Sequence, residues 1–286
     1  MTRGLRYTQY RGDGDSSSFK KVKEMKPYED VDIEKLECVG HVQKRVGSRL
    51  RKLVQAHKGK KLSDDKGISE AGRLTKQRID TLQNYFGMAI RQNKGELQSM
   101  QRAVLASLYH VASTDANPQH GLCPCDSWCK YSDDPENHKH KHGLPEAIID
   151  LLEPIYNELS EPSLLSKCLH GKTQNNNECL NKLIWDRCIK EVFVGNLTIE
   201  DAVYCAVAQF NDGNVSVLKH FEKIGITPGR FTSSAAGAVD QKRIYWSDLK
   251  SSEAAKKHRK HLRAVKKGFQ DINEEKEGNV YESGSH

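Results

Sequence analysis

Helical periodicity is the feature of this sequence that most limits the folds open to it. From Ser69 to Leu159, apolar residues recur at intervals of three and four, the spacing that lines one face of an α-helix. This pattern predicts three helices, over about Ser69–Gln92, Glu96–Ser113 and Leu144–Leu159. Pro154 is expected to kink or end the third. Only Leu5–Tyr10 and Val31–Cys38 alternate as strands do. We therefore expect a mostly helical chain with few strands.

Charge and cysteine content narrow the possible functions. The chain has 286 residues and a formal net charge of +7, so polyanions are its natural partners. No apolar run has the length of a membrane span, and Met1–Arg6 lacks the apolar core of a secretory signal. We expect no membrane partner. Eight cysteines in a chain of this kind indicate reduced thiols or metal ligands rather than a disulfide framework.

A glycine-rich acidic turn, Gly12-Asp13-Gly14-Asp15, follows the first predicted strand. Asp13 could form a simple turn through its own side chain. A calcium loop of the EF-hand type is excluded, because Ser18 stands where such a loop requires glycine and a strand leads in. The other interpretation is that Asp13 is a metal-binding carboxylate at the end of a strand. Because the repeated Gly-Asp makes the register ambiguous, Asp15 is the alternative candidate.

A second candidate carboxylate lies in the stretch Lys172–Trp185, where polar turn residues lead into an amphipathic helix. Glu178, Asn181 and Trp185 are spaced by three and seven positions, so they share one helical face. Glu178 is either a metal-binding carboxylate or the acidic member of a capping box with Asn175. Both interpretations are open from this stretch alone.

Cysteine and histidine are concentrated between positions 120 and 142. The candidate zinc ligands are His120, Cys123, Cys125, Cys129 and one of His138, His140 and His142, with His142 in the candidate set. Cys123 and Cys129 are the safest of these, because thiolate and imidazole are the usual ligands of structural zinc. The alternative is a cysteine-rich loop and a histidine-rich loop that never meet. The pair Cys38-x-x-His41 offers only two ligands and is weak as a metal site.

Two basic helices are candidates for DNA contacts. The first spans Val42–Ala56, and the second contains the basic run Lys256–Arg263 followed by Lys266-Lys267. Their candidate phosphate-binding residues are Lys44, Arg45, Arg49, Lys256, Lys257, Arg259 and Lys260. Such residues contact phosphates mostly without reading base sequence. The alternative for both helices is a solvated face. The polar tail after Phe269 is predicted to be disordered.

Together these motifs resemble the transposase domain of Mutator-like DNA transposons. The matching residues are Gly12-Asp13-Gly14-Asp15-Ser16, Glu37 to Arg45, Cys123-Pro124 with Ser127-Trp128-Cys129, Thr173 to Glu178 with Asn181 and Trp185, Phe210 to Gly213 and Gly225 to Gly229. The resemblance implies an α/β, RNase H-like fold with a large all-helical insertion, and Asp-Asp-Glu chemistry. Four segments are expected: RNase H-like residues 1–57, a helical insertion with the zinc loop over 58–160, a return to the RNase H-like part over 161–230, and a basic helical segment and tail over 231–286.

The resemblance also implies roles for individual residues. Asp13 and Glu178 would be catalytic ligands of Mg²⁺, or of Mn²⁺, in two-metal nicking and strand transfer of DNA. The expected supporting residues are Asp15, Cys38, His41, Asn181 and Trp185. The expected partners are transposon ends and target DNA. The resemblance also allows a homo-oligomer and implies a nuclear location.

This sequence departs from the family in its first carboxylate. The family's first Asp lies on a strand upstream of Leu5–Tyr10, and no acidic residue precedes Asp13 here. We therefore expect a copy truncated at its N-terminus and inactive in DNA cleavage. The alternative function is a non-catalytic, transposase-derived, zinc-containing DNA-binding protein.

Overall fold

The computed structural model describes residues 6–12, 17–124, 129–140 and 143–277. The chain divides into two compact units, residues 1–175 and residues 176–286. Most described residues are helical. None of the described helices is long and apolar enough to cross a membrane.

Unit 1 begins with a small parallel sheet. Strand β1 is Gln9–Gly12 and strand β2 is Glu34–Glu37, paired from Gln9 with Glu34 to Gly12 with Glu37. Helix α1, Ser17–Met25, lies in the connection, as parallel strands require a crossover rather than a tight turn. Both strands lie within or beside the predicted stretches, although β1 starts later than Leu5 and extends past Tyr10. Because the strands are parallel, their carboxyl ends meet at one edge of the sheet.

Four helices form the core of unit 1: α2, Val39–Ala56; α3, Lys76–Gln92; α4, Leu97–Ala112; and α6, Glu146–Leu159. Between α4 and α6 lies the short helix α5, Lys130–Asp133, and after α6 come α7, Pro162–Leu165, and a 3₁₀ turn, Ser166–Cys168. Phe86 and Tyr156 are fully buried and meet edge to face, with ring centroids 5.8 Å apart. One core therefore joins α2 to helices of the predicted insertion.

The start of one helix differs from the periodicity, and another helix contains a proline that was expected to kink or end it. Helix α3 begins at Lys76 rather than near Ser69, because the Thr75 hydroxyl accepts a hydrogen bond from the Arg78 N–H and caps the helix there. The preceding loop is held instead by an ion pair between the buried Arg73 guanidinium and Asp64. Helix α6 continues through Pro154, since apolar residues on both sides of the proline are buried in the core.

Unit 2 consists of helices among its described residues. They are α8, Asn175–Trp185, which starts at the last residue of unit 1; α9, Asn196–Asp212; α10, Ser216–Lys223; α11, Arg230–Ser251; and α12, Glu253–Glu277. Helix α12 continues past Phe269, where the sequence predicts a disordered tail.

A buried carboxylate organises the turn between α9 and α10. Asp240 on α11 accepts hydrogen bonds from the backbone N–H and side-chain amide of Asn214, at 2.9 and 2.8 Å, and from the Val215 N–H at 3.1 Å. These donors hold the pKa of Asp240 below its ordinary value. Gly213 ends α9 with a φ of 83°, and a Cβ there would lie 2.6 Å from the Asp240 carboxylate.

Candidate metal centre

Four side chains of unit 1 bring metal-ligand atoms together. They are His110, His120, Cys123 and Cys129, and their ligand atoms all lie within 4.8 Å of one another. His110 is in the last turn of α4, and Cys129 immediately precedes α5. His120 and Cys123 lie in the connection, where the Cys123 N–H donates to the His120 carbonyl. The cluster therefore joins the end of a core helix to the loop that follows it.

The five distances among these atoms that involve a nitrogen match those of a tetrahedral site. The two Nδ1 atoms are 3.2 Å apart, and the four sulfur–nitrogen distances fall between 3.3 and 3.7 Å. Tetrahedral zinc with metal–sulfur bonds of about 2.3 Å and metal–nitrogen bonds of about 2.05 Å requires edges of about 3.3 Å between nitrogens and about 3.6 Å between sulfur and nitrogen. The cluster can hold a metal ion such as zinc with little rearrangement of its ligand atoms.

Contacts with α4 position the ligand loop. The Arg102 guanidinium donates to the carbonyls of Gly121 and Leu122, at 2.9 and 3.4 Å. The Ser113 hydroxyl, just past α4, accepts the Gln119 N–H at 2.9 Å. On the far side of the loop, the Leu144 N–H donates to the Val111 carbonyl. These hydrogen bonds hold residues 119–122 and Leu144 against α4 and Ser113.

Burial sets the charge states of the ligands before any metal binds. His120, Cys123 and Cys129 are buried. Burial, reinforced by the neighbouring histidines, lowers the pKa of His120 to about 4, and burial also lowers the pKa of His110. Both imidazoles are therefore neutral near pH 7, as metal ligands must be. Burial raises the pKa of Cys123 to about 12, so binding of a metal must release a thiol proton.

The cluster and the predicted ligand set share three residues. His120, Cys123 and Cys129 were predicted and are brought together. His110 was not predicted, because it lies two positions after Leu108 in a helix whose apolar stripe indicated packing alone. Cys125 and His142 lie outside the described residues. His140 is not one of the four clustered ligands, because it contacts the opposite edge of the His120 ring, with 2.8 Å between the two Nε2 atoms.

Of the two predicted catalytic carboxylates, Asp13 and Glu178, only Glu178 is among the described residues. Asp13 and Asp15 are outside the described residues, although β1 ends at Gly12, immediately before Asp13. Glu178 is exposed on α8, as are Asn181 and Trp185. Helix α8 already includes Asn175. Among the described residues no hydrogen bond joins Asn175 to Glu178, so the capping box is not formed.

The segment that leads into α8 is attached to the carboxyl edge of the sheet. The Gln174 side chain donates to the Arg11 carbonyl of β1 at 2.7 Å. The His170 Nε2 lies 3.0 Å from the Glu37 carbonyl of β2, while its Nδ1 accepts the Lys172 N–H. Residues 170–174 therefore contact both strands within unit 1.

Cys38 and His41 flank the start of α2 at the same edge. Cys38 is buried, and its N–H donates to the Gly12 carbonyl at 3.1 Å. His41 has a buried Nδ1 without a hydrogen-bond partner in the described part of the chain. Such an orphaned polar atom is unusual in a folded protein. The unpaired Nδ1 therefore makes His41, like the predicted carboxylates, a candidate functional residue at this edge of the sheet.

The predicted DNA-contacting residues fall into two groups. Arg45 forms an ion pair with Glu37 at 2.6 Å, and Arg49 forms one with Glu158. These pairs engage both guanidinium groups within unit 1. In α12, Lys256 pairs with Glu253 and Arg259 donates to the Lys250 carbonyl. Lys44, Lys257 and Lys260 are exposed and form no side-chain hydrogen bond or ion pair with another residue in the described part of the chain.

Comparison with protein families agrees with the resemblance in the sequence. Residues 1–129 match the family described as Mutator-like transposase. This match confirms the resemblance over the sheet, the core helices α2 to α4 and all four clustered ligands. It ends before Glu178 and the whole of unit 2. Searches among curated proteins and among solved structures gave no significant match.

Proposed function

We propose that this chain is part of a DDE-type DNA transposase domain, in which Asp13 and Glu178 contribute two carboxylates to one Mg²⁺ site on an RNase H-like framework. The family match over residues 1–129 supports a transposase domain. When bound, the ions supply two-metal phosphoryl transfer, in which carboxylates hold hard cations beside the attacking and leaving oxygens. An exposed Glu178 without a capping role is free to bind such an ion.

The hydrogen bond from Gln174 to Arg11 is the observation that carries this proposal. Arg11 precedes Asp13 by two positions, and Gln174 precedes Glu178 by four. The contact ties the segment leading to one carboxylate to the strand leading to the other. Parallel strands present their carboxyl ends to a common edge, the usual location of sites in open α/β sheets. The RNase H-like arrangement accounts for this attachment across a long helical insertion.

Iron-directed cleavage tests the proposal, because it reports metal position and needs only these two carboxylates. Zinc-saturated protein is incubated with Fe²⁺ and peroxide, so that radicals cut the backbone beside the bound ion. We expect cuts near positions 13 and 178 that Mg²⁺ suppresses and that Asp13→Asn or Glu178→Gln abolishes. Glu200→Gln, at an exposed glutamate on α9, is the matched control. Cuts at one position alone would refute a shared site.

The His110, His120, Cys123 and Cys129 cluster favours a second candidate, a zinc-containing protein that binds DNA without cutting it. Lys257 and Lys260 would then contact phosphates. Salt-dependent DNA binding that is weakened by Lys257→Ala and Lys260→Ala is expected under both functions. Absence of the Fe²⁺ cuts, in protein that binds DNA and zinc, would favour this second function.

A further inference from the structure

Asp115, His140 and His120 form a hydrogen-bonded chain that ends at the metal centre. The Nε2 atoms of His120 and His140 are 2.8 Å apart, and the Nδ1 of His140 lies 2.8 Å from the Asp115 carboxylate. The same Asp115 oxygen accepts the backbone N–H of His140 at 2.7 Å. The carboxylate therefore fixes both the backbone and the ring of His140.

Only one placement of protons satisfies these hydrogen bonds and leaves the Nδ1 of His120 able to bind a metal. The Nδ1 of His120 faces the cluster, 3.3 Å from the Cys129 sulfur and 3.6 Å from the Cys123 sulfur. For this atom to bind a metal, the ring proton must be on Nε2. That Nε2–H donates to the Nε2 of His140, whose own proton is then on Nδ1 and is donated to Asp115.

Packing holds the rings in this orientation. Tyr131 stacks on His120 with ring centroids 4.2 Å apart and an angle of 14° between the planes. The side chain of His140 is 7% exposed, whereas that of Asp115 is 61% exposed. The chain thus runs from a buried ligand to a carboxylate in contact with solvent. A carboxylate accepting the N–H of a histidine is the arrangement that outer-shell partners of metal ligands commonly adopt.

We propose that Asp115 and His140 are positioning residues of the metal centre, which hold His120 in the Nε2–H form and aim its Nδ1 at the ion. This inference rests on the proposed metal centre, for which two thiolates and two imidazoles make Zn²⁺ the fitting ion and Co²⁺ its spectroscopic probe. The two residues touch no metal. Asp115 acts entirely through His140, and His140 acts entirely through His120.

Metal affinity of the full chain tests the proposal. Zn²⁺ binding is measured by competition with a coloured chelator, and the Co²⁺ absorption spectrum reports coordination. His140→Ala and Asp115→Ala are each expected to weaken Zn²⁺ binding by about 10- to 100-fold, with one ion still bound and a tetrahedral Co²⁺ spectrum retained. His140→Gln, which restores an acceptor, is expected to recover most of the affinity. The matched controls His220→Ala and Asp133→Ala, at exposed positions, should bind as the parent does.

A double variant separates positioning from general damage to the loop. Because Asp115 acts through His140, adding Asp115→Ala to His140→Ala should weaken binding no further. Additive losses, or unchanged affinity in both single variants, would overturn the proposal. Loss of stoichiometric Co²⁺ binding in His140→Ala would also overturn it, because His140 would then be a ligand. Failure of the parent chain to bind one Zn²⁺ would instead refute the metal centre itself.

Discussion

Binding of zinc at the cluster of His110, His120, Cys123 and Cys129 should raise the thermal stability of unit 1 by an amount that can be estimated. The ligands join the last turn of α4 to the start of α5, and Cys129 is fully buried between them. At free Zn²⁺ one thousand times the dissociation constant, binding to the folded state alone adds about 4.1 kcal/mol. For a unit of residues 1–175, each kcal/mol moves the melting temperature by about 2–4 °C. Chelation is therefore expected to lower it by about 8–16 °C.

Differential scanning calorimetry with Zn²⁺ and with a chelator measures this shift. Cys129→Ser should melt at a temperature that is nearly independent of Zn²⁺, because one of four ligands is lost. Cys205→Ser is the matched control, since Cys205 is exposed on α9, and it should retain the full shift. An unchanged melting temperature of the parent chain in Zn²⁺ and in chelator would refute the reasoning. So would a Cys129→Ser variant that still gains the full shift.

Three further predictions concern the fold and Glu178. Asp240→Asn should lower the free energy of unfolding by about 2 kcal/mol, because a buried carboxylate that accepts three hydrogen bonds loses its charge. Folding lowers the pKa of Asp240, so the difference in unfolding free energy should be complete at pH values above the ordinary aspartate pKa of 3.8. It should vanish as the pH falls through the lower pKa of the folded state. Urea unfolding at several pH values measures this dependence. Phe86→Ala should cost about 3–5 kcal/mol in urea unfolding, since the ring is fully buried against Tyr156; a cost below about 1 kcal/mol would contradict this packing. Glu178→Ala should leave the melting temperature unchanged, because Glu178 is exposed and forms no capping hydrogen bond with the described residues; a marked fall would restore the capping interpretation.

Periodicity predicted the core of unit 1 well because burial repeats with the helix. Ile79, Leu82 and Phe86 share one face of α3, and all three are buried. The same pattern predicted α4, but it gave no reason to single out His110, because a residue near the buried face of a helix is usually explained by packing. A histidine in the last turn of a helix, shortly before a cysteine-rich loop, is the signal that could have identified it.

The features that the sequence did not predict depend on contacts between residues that are far apart along the chain. The contact between His140 and His120 depends on how the connection between them folds. Sequence spacing alone does not distinguish a histidine that binds a metal from one that hydrogen-bonds to the ligand. Arg45 and Arg49 looked free for DNA because their partners, Glu37 and Glu158, come from other elements. Helix α6 passes through Pro154 because tertiary packing outweighs one missing backbone hydrogen bond.

X-ray absorption at the zinc edge of the purified full chain tests the metal centre most directly. The structure predicts one zinc per chain with two sulfur neighbours at about 2.3 Å and two imidazole nitrogens at about 2.0–2.1 Å. Three or four sulfur neighbours would bring in a cysteine outside the cluster of His110, His120, Cys123 and Cys129. A shell of oxygen and nitrogen alone, or zinc well below one per chain, would contradict the centre.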